Sequence, residues 1–102
     1  MSKRSQYNAK IAEFNNIKSN VSRIISDLNK CKTDVSKTSQ EVESLVINGK
    51  PIDDGALMEI SSSLELLKGD LSQIINECNE KIDYYTNLLA SLSNESDESV
   101  NL

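Results

Sequence analysis

The chain has 102 residues, of which 37% are hydrophobic and only four are aromatic. This composition excludes a thick globular core but allows narrow apolar seams between helices. The net charge of −5 argues against nucleic acid as a partner. No apolar run approaches the ~18 residues of a membrane span, and the polar residues 1–14 lack the apolar core of a signal peptide. We therefore expect a cytoplasmic protein, or one that is exported without a cleaved signal peptide.

Charge divides the chain into two halves of opposite sign. Residues 1–46 carry eight basic and five acidic groups, a net charge of +3, whereas residues 56–92 carry two basic and six acidic groups, a net charge of −4. Two helices formed by these halves would attract each other. The attraction favours their pairing more than it adds stability, since exposed ion pairs contribute only ~0–1 kcal/mol each.

Two columns of residues, each repeating every seven positions, mark a first helix. The first column consists of Tyr7, Phe14, Val21, Leu28, Val35 and Val42. The second column, offset by three, consists of Ile17, Ile24, Cys31, Thr38 and Leu45. The alternating spacing of three and four is typical of a coiled-coil seam. It predicts a helix from about residue 5 to about residue 46.

A turn is predicted for residues 47–55, where the residues that interrupt helices are concentrated. The turn residues are Asn48, Gly49, Pro51, Asp53, Asp54 and Gly55. Glycine can adopt the left-handed conformation that ends a helix, and proline cannot continue one. Either aspartate can cap the following helix at its positive end. The same carboxylates with nearby carbonyls could instead bind a cation weakly, but their spacing is not that of an EF-hand.

The second helix is predicted from about residue 56 to about residue 92, before an acidic disordered tail, 93–102. Its first column consists of Leu57, Leu64, Leu71, Cys78, Tyr85 and Leu92. Its second column consists of Ile60, Leu67, Ile74, Lys81 and Leu88. A third column beside it contains Ile75, Ile82 and Leu89. These patterns predict an all-α fold, an antiparallel two-helix hairpin.

A register can be predicted by setting Leu45 opposite Leu57, so that the numbers of paired residues add up to about 102. Phe14 then faces Leu88, and Ile17 faces Tyr85. Apolar residues beside the seam widen it beyond the needs of two strands; they are Ile11, Ile25, Ile75, Ile82 and Leu89. Such a stripe is typical of a four-helix bundle completed by a second hairpin, of the same or a different protein. The other interpretation is a marginally stable monomer with loosely packed helices.

Partner binding is predicted at the end of the hairpin away from the turn, because all four aromatic residues gather there. Aromatic side chains bury a large area at small entropic cost, and they dominate protein interfaces. Tyr84 lies beside the seam, so the isolated hairpin does not require it, whereas Phe14 could simply pack between the two helices. The predicted partner-binding residues are Tyr7, Ile11, Phe14, Ile75, Ile82, Tyr84, Tyr85 and Leu89.

No enzyme, cofactor, metal site or small-molecule substrate is indicated by the residues. The chain has no histidine, and it has neither a nucleophile paired with a base nor a phosphate-binding loop. Cys31 and Cys78 lie about seven residues out of step in the predicted register, roughly 10 Å along the helix axis. That separation is too large for a disulfide, so we interpret both cysteines as small apolar seam residues.

Hairpin layout, length and a central glycine turn together resemble the small WXG-type proteins of bacterial type VII secretion. The chain looks most like the α-helical partner proteins of LXG-domain toxins. Ile47-Asn48-Gly49 stands where the family has Trp-x-Gly, so the tryptophan is absent. The family's export motif, Tyr-x-x-x-Asp/Glu, is absent too, since the residues four positions after Tyr84 and Tyr85 are Leu88 and Leu89. The Phe-x-x-x-Asp variant of the motif is also absent, because Lys18 stands four positions after Phe14.

The resemblance implies a non-enzymatic targeting partner or chaperone that pairs with another helical protein. That protein would be a type VII secretion toxin or its co-partner, in a hetero- or homodimer. The two proteins would together present an export signal to the secretion ATPase. The alternative interpretation is a structural coiled-coil scaffold or a tethering subunit.

Overall fold

The computed structural model describes residues 2–93, which form two long helices joined by a small β-hairpin. The elements are α1 (Lys3–Ser44), β1 (Val46–Ile47), β2 (Lys50–Pro51) and α2 (Gly55–Ser93). The two helices pack against each other, which confirms the predicted all-α helical hairpin. The predicted tail lies outside the described residues, except for Ser93.

Helix α1 begins two residues earlier and ends two residues earlier than predicted. The hydroxyl of Ser2 accepts a hydrogen bond of 3.1 Å from the amide of Ser5, which caps the free amides of the first turn. At the other end the amide of Leu45 donates to the carbonyl of Val42, so the last turn tightens before the chain becomes extended.

The connection between the helices is a two-residue β-turn. Asn48 and Gly49 have positive φ angles of 53° and 77°, and they join Ile47 to Lys50 in an antiparallel pair. Two consecutive positive φ angles are typical of the turn that joins two tightly paired strands, and Asn-Gly is its preferred sequence. Gly49 is therefore left-handed as predicted, but it closes a hairpin and does not terminate α1. The β-branched Val46 and Ile47 favour the extended conformation instead.

Helix α2 begins at Gly55, behind the two aspartates. The carboxylate of Asp53 accepts a hydrogen bond of 2.9 Å from the amide of Gly55. The carbonyl of Asp54 accepts from the amides of Leu57 and Met58 at 2.9 and 3.1 Å. The side chain of Asp54 is left to contact α1, as described below.

The helices meet along a different pair of columns from the pair that was predicted. The first column of each helix is buried or half-buried, but the column offset by three is mostly exposed. Its place between the helices is taken by the column offset by four, which holds Ile11, Lys18, Ile25, Lys32 and Ser39 in α1 and Ser61, Lys68, Ile75, Ile82 and Leu89 in α2. On an α-helix an offset of four lies about 40° from the first column and an offset of three about 60° on its other side. The nearer column enters the seam.

The chain forms two compact units, each built from a segment of both helices. We call the described residues of Met1–Ser22 and Gln73–Leu102 the aromatic unit, and Arg23–Ser72 the turn unit. In the turn unit the numbers of the paired β residues add up to 97, not 102. The predicted pairing of Leu45 with Leu57 is wrong, because the tight turn closes on residues 48 and 49 and Leu45 instead accepts a hydrogen bond from the amide of Ile52.

Candidate helix-binding surfaces

The aromatic side chains of the aromatic unit form one cluster around Tyr85. Its ring centroid lies 5.9 Å from that of Tyr7, 6.3 Å from that of Phe14 and 5.1 Å from that of Tyr84. Tyr85 thus packs on Tyr7 and Phe14, whereas the predicted pairings of Ile17 with Tyr85 and of Phe14 with Leu88 stay predictions. The cluster ties α1 to α2 within this unit.

Most of the residues predicted to bind a partner are already half-buried within the hairpin. These residues are Tyr7, Ile11, Phe14, Ile75, Ile82, Tyr85 and Leu89. Tyr84 differs, because 57% of its surface is exposed while one edge packs against Tyr85. The role of these eight residues in partner binding stays a prediction, and Tyr84 is the one that presents most of its surface to solvent.

Buried apolar residues occur in the aromatic unit alone among the described residues. Val21, Cys78 and Leu92 are the buried hydrophobic side chains, whereas in the turn unit the buried side chain is that of Ser39. Both cysteines are free thiols, and Cys31 is exposed. Cys31 is thus not a seam residue as predicted, because it belongs to the column offset by three.

A polar contact near the turn joins the end of α1 to the start of α2. The buried Ser39 hydroxyl donates a hydrogen bond to the carboxylate of Asp54 and lies 3.8 Å from the sulfur of Met58. The Ser39 bond and a second one with Glu43 lower the pKa of Asp54, and the same contact with Asp54 raises the pKa of Glu43. This pair of carboxyl groups therefore favours a state in which Asp54 is charged and Glu43 takes up protons first.

Two lysines occupy the seam further along the turn unit. Lys32 contacts Glu65 at 2.5 Å, and Lys68 contacts Glu65 at 3.8 Å and the amide oxygen of Asn29 at 3.0 Å. The hydrogen bond from Lys32, with the charges of both lysines, lowers the pKa of Glu65. Both lysines are half-buried, as expected when an aliphatic stem packs along a helix and its ammonium group stays in contact with water.

The side of the turn unit opposite the two seam lysines presents exposed aliphatic residues. Ile24 is 44% exposed, Leu45 54%, and Ile60 and Leu67 45% each. In an antiparallel pair of right-handed helices that share the same seam columns, the columns offset by three lie on the same side of the pair. We call these four residues, with Cys31, the apolar face. All five residues were predicted to lie in the seam. The sequence shows their heptad periodicity, but it does not show that their column is exposed.

A shallow cleft of about 280 Å³ opens beside the Ser39 contact. It is lined by Val35, Ser36, Ser39, Gln40, Glu43, Leu57, Met58 and Ser61. Within residues 2–93, no group of three or more metal-ligating side chains is present. In the same part of the chain no helix is long and apolar enough to cross a lipid bilayer.

Comparison of the chain with protein-family models, curated proteins and solved structures found no match. Residues 2–93 form an antiparallel helical hairpin whose turn unit carries the half-exposed apolar face.

Proposed function

We propose that the chain is a non-enzymatic helical partner protein whose turn unit binds helices of another protein. The observation that supports this proposal is an inversion of polarity in the turn unit. Four of the five residues of its inner second column are polar or charged, as Lys32, Ser39, Ser61 and Lys68 show, whereas the apolar face lies outside. A hairpin that acted alone would gain stability from the reverse arrangement, because burial of aliphatic groups is favourable.

The free energy available at the apolar face is substantial for a small protein. Full burial of a leucine or isoleucine side chain contributes ~1.5–3 kcal/mol, so covering one that is about half exposed contributes roughly 1 kcal/mol. Leu45, Ile60 and Leu67 are each about half exposed, as is Ile24. A partner that covered all four would gain roughly 4 kcal/mol before the cost of association is subtracted. A second pair of helices is the ordinary way to cover such a face.

The resemblance to the partner proteins of LXG-domain toxins supports a more specific proposal. The chain would act as a targeting chaperone that pairs with a type VII secretion toxin or its co-partner. Because the tryptophan of the turn and the export motif are absent, the partner would supply the export signal. This part of the proposal rests on the sequence, and genes for a large toxin beside the gene of this chain would support it.

Adjacent leucines in α2 allow a matched test of the proposed surface. Leu67 belongs to the apolar face, whereas Leu66, which is 74% exposed, lies about 100° around the helix and points away from α1. The chain is co-expressed with the helical proteins encoded beside its gene, and complexes are measured by size-exclusion chromatography with light scattering. We expect Leu67→Ser to disrupt the complex and Leu66→Ser to leave it intact.

Two other results would contradict the proposal. Equal capture of a partner by both variants would place the interface elsewhere on the hairpin. A chain that assembles only with itself, in a concentration-dependent way that Leu67→Ser abolishes, would favour the structural scaffold. In either case circular dichroism of both variants verifies that the hairpin is still helical.

A further inference from the structure

We infer that the occupant of the apolar face is an amphipathic helix flanked by basic residues and belonging to another protein, not a second copy of this chain. The inference rests on the proposed function and adds the chemistry of the partner. It is carried by the charges that border the apolar face in the turn unit.

Acidic side chains border the apolar face on both helices. On α1, Asp27, Asp34 and Glu41 each follow a residue of the outer column by three positions, and on α2 Asp70 follows Leu67 in the same way. All four are exposed. A spacing of three places them about 60° further around the helix, on the solvent side of the apolar residues. We call these four residues the acidic rim.

The basic residues that the two helices contribute to the turn unit lie further from an occupant of the face. Arg23, Lys30 and Lys37 occupy the next column of α1, which points away from α2. Lys32 and Lys68 enter the seam from the other side, where they contact Glu65 and Asn29. A helix that lies on the apolar face therefore meets the acidic rim before it meets any of these five basic side chains of α1 and α2.

Charge next to an apolar seam determines which helices pair. Two copies of this chain joined through their apolar faces would place acidic rims beside each other, and like charges across a helical interface oppose association. Basic residues at the flanks of a partner helix would instead attract the rim. The rim thus favours a basic partner and disfavours the homodimer while leaving the apolar contacts unchanged.

Two synthetic helical peptides of about four heptads test this inference. Both carry the same leucine stripe, and its flanking positions are all lysine in one peptide and all glutamate in the other. Binding to the full chain is measured by fluorescence anisotropy at low and at high salt. We expect the lysine peptide to bind at least about tenfold more tightly, with a preference that salt weakens.

Charge-neutralising variants locate the effect. The rim variant Asp27→Asn/Asp34→Asn/Glu41→Gln should lose most of the preference for the lysine peptide. The control variant Glu59→Gln/Glu80→Gln/Asp83→Asn removes the same amount of charge from exposed positions outside the rim and should keep the preference.

Cys31 provides an independent readout of binding, because its exposed thiol lies in the apolar face while Cys78 is buried. The lysine peptide should slow modification of Cys31 by a thiol reagent.

Failure of this inference differs from failure of the proposed function. Equal binding of both peptides, or equal loss of preference in both triple variants, would overturn the charge assignment. A homodimer that Leu67→Ser disrupts would overturn the choice of occupant. If neither peptide binds although Leu67→Ser still prevents capture of a natural helical partner, the inference fails and the proposed function stands. If Leu67→Ser changes no assembly at all, the proposed function itself fails.

Discussion

The aromatic unit and the turn unit use the same two helices and the same heptad spacing, yet they distribute apolar residues in opposite ways. The aromatic unit buries Val21, Cys78 and Leu92 and packs three rings around Tyr85. Nine of the twelve large hydrophobic side chains that are exposed in the described residues lie in the turn unit. Heptad periodicity alone therefore does not show which part of a hairpin buries its apolar side chains. The residue types in the inner second column separate the unit that has buried apolar side chains from the unit in which that column is mostly polar.

Truncation of Tyr85, the central ring of the aromatic cluster, should show the largest difference in stability between the two units. Tyr85→Ala removes the side chain that contacts Tyr7, Phe14 and Tyr84, so it should lower the free energy of unfolding by ~2–4 kcal/mol. Leu67→Ala should cost less, about 1 kcal/mol in the isolated chain, because only about half of its side chain is covered there. Denaturant unfolding followed by circular dichroism measures both values. Equal losses would mean that the turn unit packs as tightly as the aromatic unit.

The two cysteines test the same difference in packing between the units, with a smaller expected loss of stability. Cys78 is 5% exposed in the aromatic unit, and Cys78→Ala should reduce stability by ~1 kcal/mol through lost packing. Cys31→Ala should be nearly neutral, because that side chain is exposed in the turn unit. Thermal unfolding with and without reductant checks both expectations, and reductant should change neither midpoint because both thiols are free. A larger loss for Cys31 would place it back in the seam.

Tyr84 tests whether the aromatic unit also binds a partner. Tyr84→Ala should leave the helicity and the unfolding midpoint of the isolated chain nearly unchanged, because 57% of the side chain is exposed. If the aromatic end contributes to the interface, the same variant should weaken the complex by ~2 kcal/mol or more, as truncation of an aromatic hot spot does. Titration calorimetry with the captured partner measures the difference. An unchanged affinity would confine the interface to the turn unit.

The hairpin fold could be predicted from sequence because its signals are long and local. The heptad columns extend over each helix, and Asn48-Gly49 with Pro51 marks the connection. Whether that connection would cap a helix or close a β-turn depended on Val46 and Ile47, whose preference for extended structure decided it. The register followed from this turn, so an error of a few residues there shifted every pairing across the helices.

The candidate site was harder to predict, because a helix surface offers two columns beside the first. Hydrophobicity alone favours the column with Ile24, Ile60 and Leu67, yet the structure places the column with Lys32 and Lys68 inside. A lysine can enter a seam when its stem packs and its ammonium group contacts a carboxylate. For Lys32 that carboxylate belongs to Glu65 of the other helix. The sequence shows such pairing only once the register is known.

Acid should weaken the turn unit through its lysine contacts, and this is the smallest effect we expect. The pKa of Glu65 lies below its ordinary value of 4.5, because Lys32 donates a hydrogen bond to the carboxylate and both seam lysines are close. A group with a lowered pKa in the folded state contributes stability above its ordinary pKa. That contribution is lost as the pH falls through the folded value.

Glu65→Gln isolates this contribution. The wild type should unfold at a slightly higher temperature than Glu65→Gln near neutral pH, and the gap should close as the pH falls below 4.5, the ordinary pKa of glutamate. Asp54 has a lowered pKa and Glu43 a raised one, so their effects on stability over this pH range are opposite and partly cancel. Both residues are present in the wild type and in Glu65→Gln, so they do not change the difference between the two proteins. High salt should also narrow the gap, since the pair is exposed. A gap that stays constant from neutral to acid pH would show that Glu65 acts through packing and that the seam lysines of the turn unit contribute no charge-dependent stability.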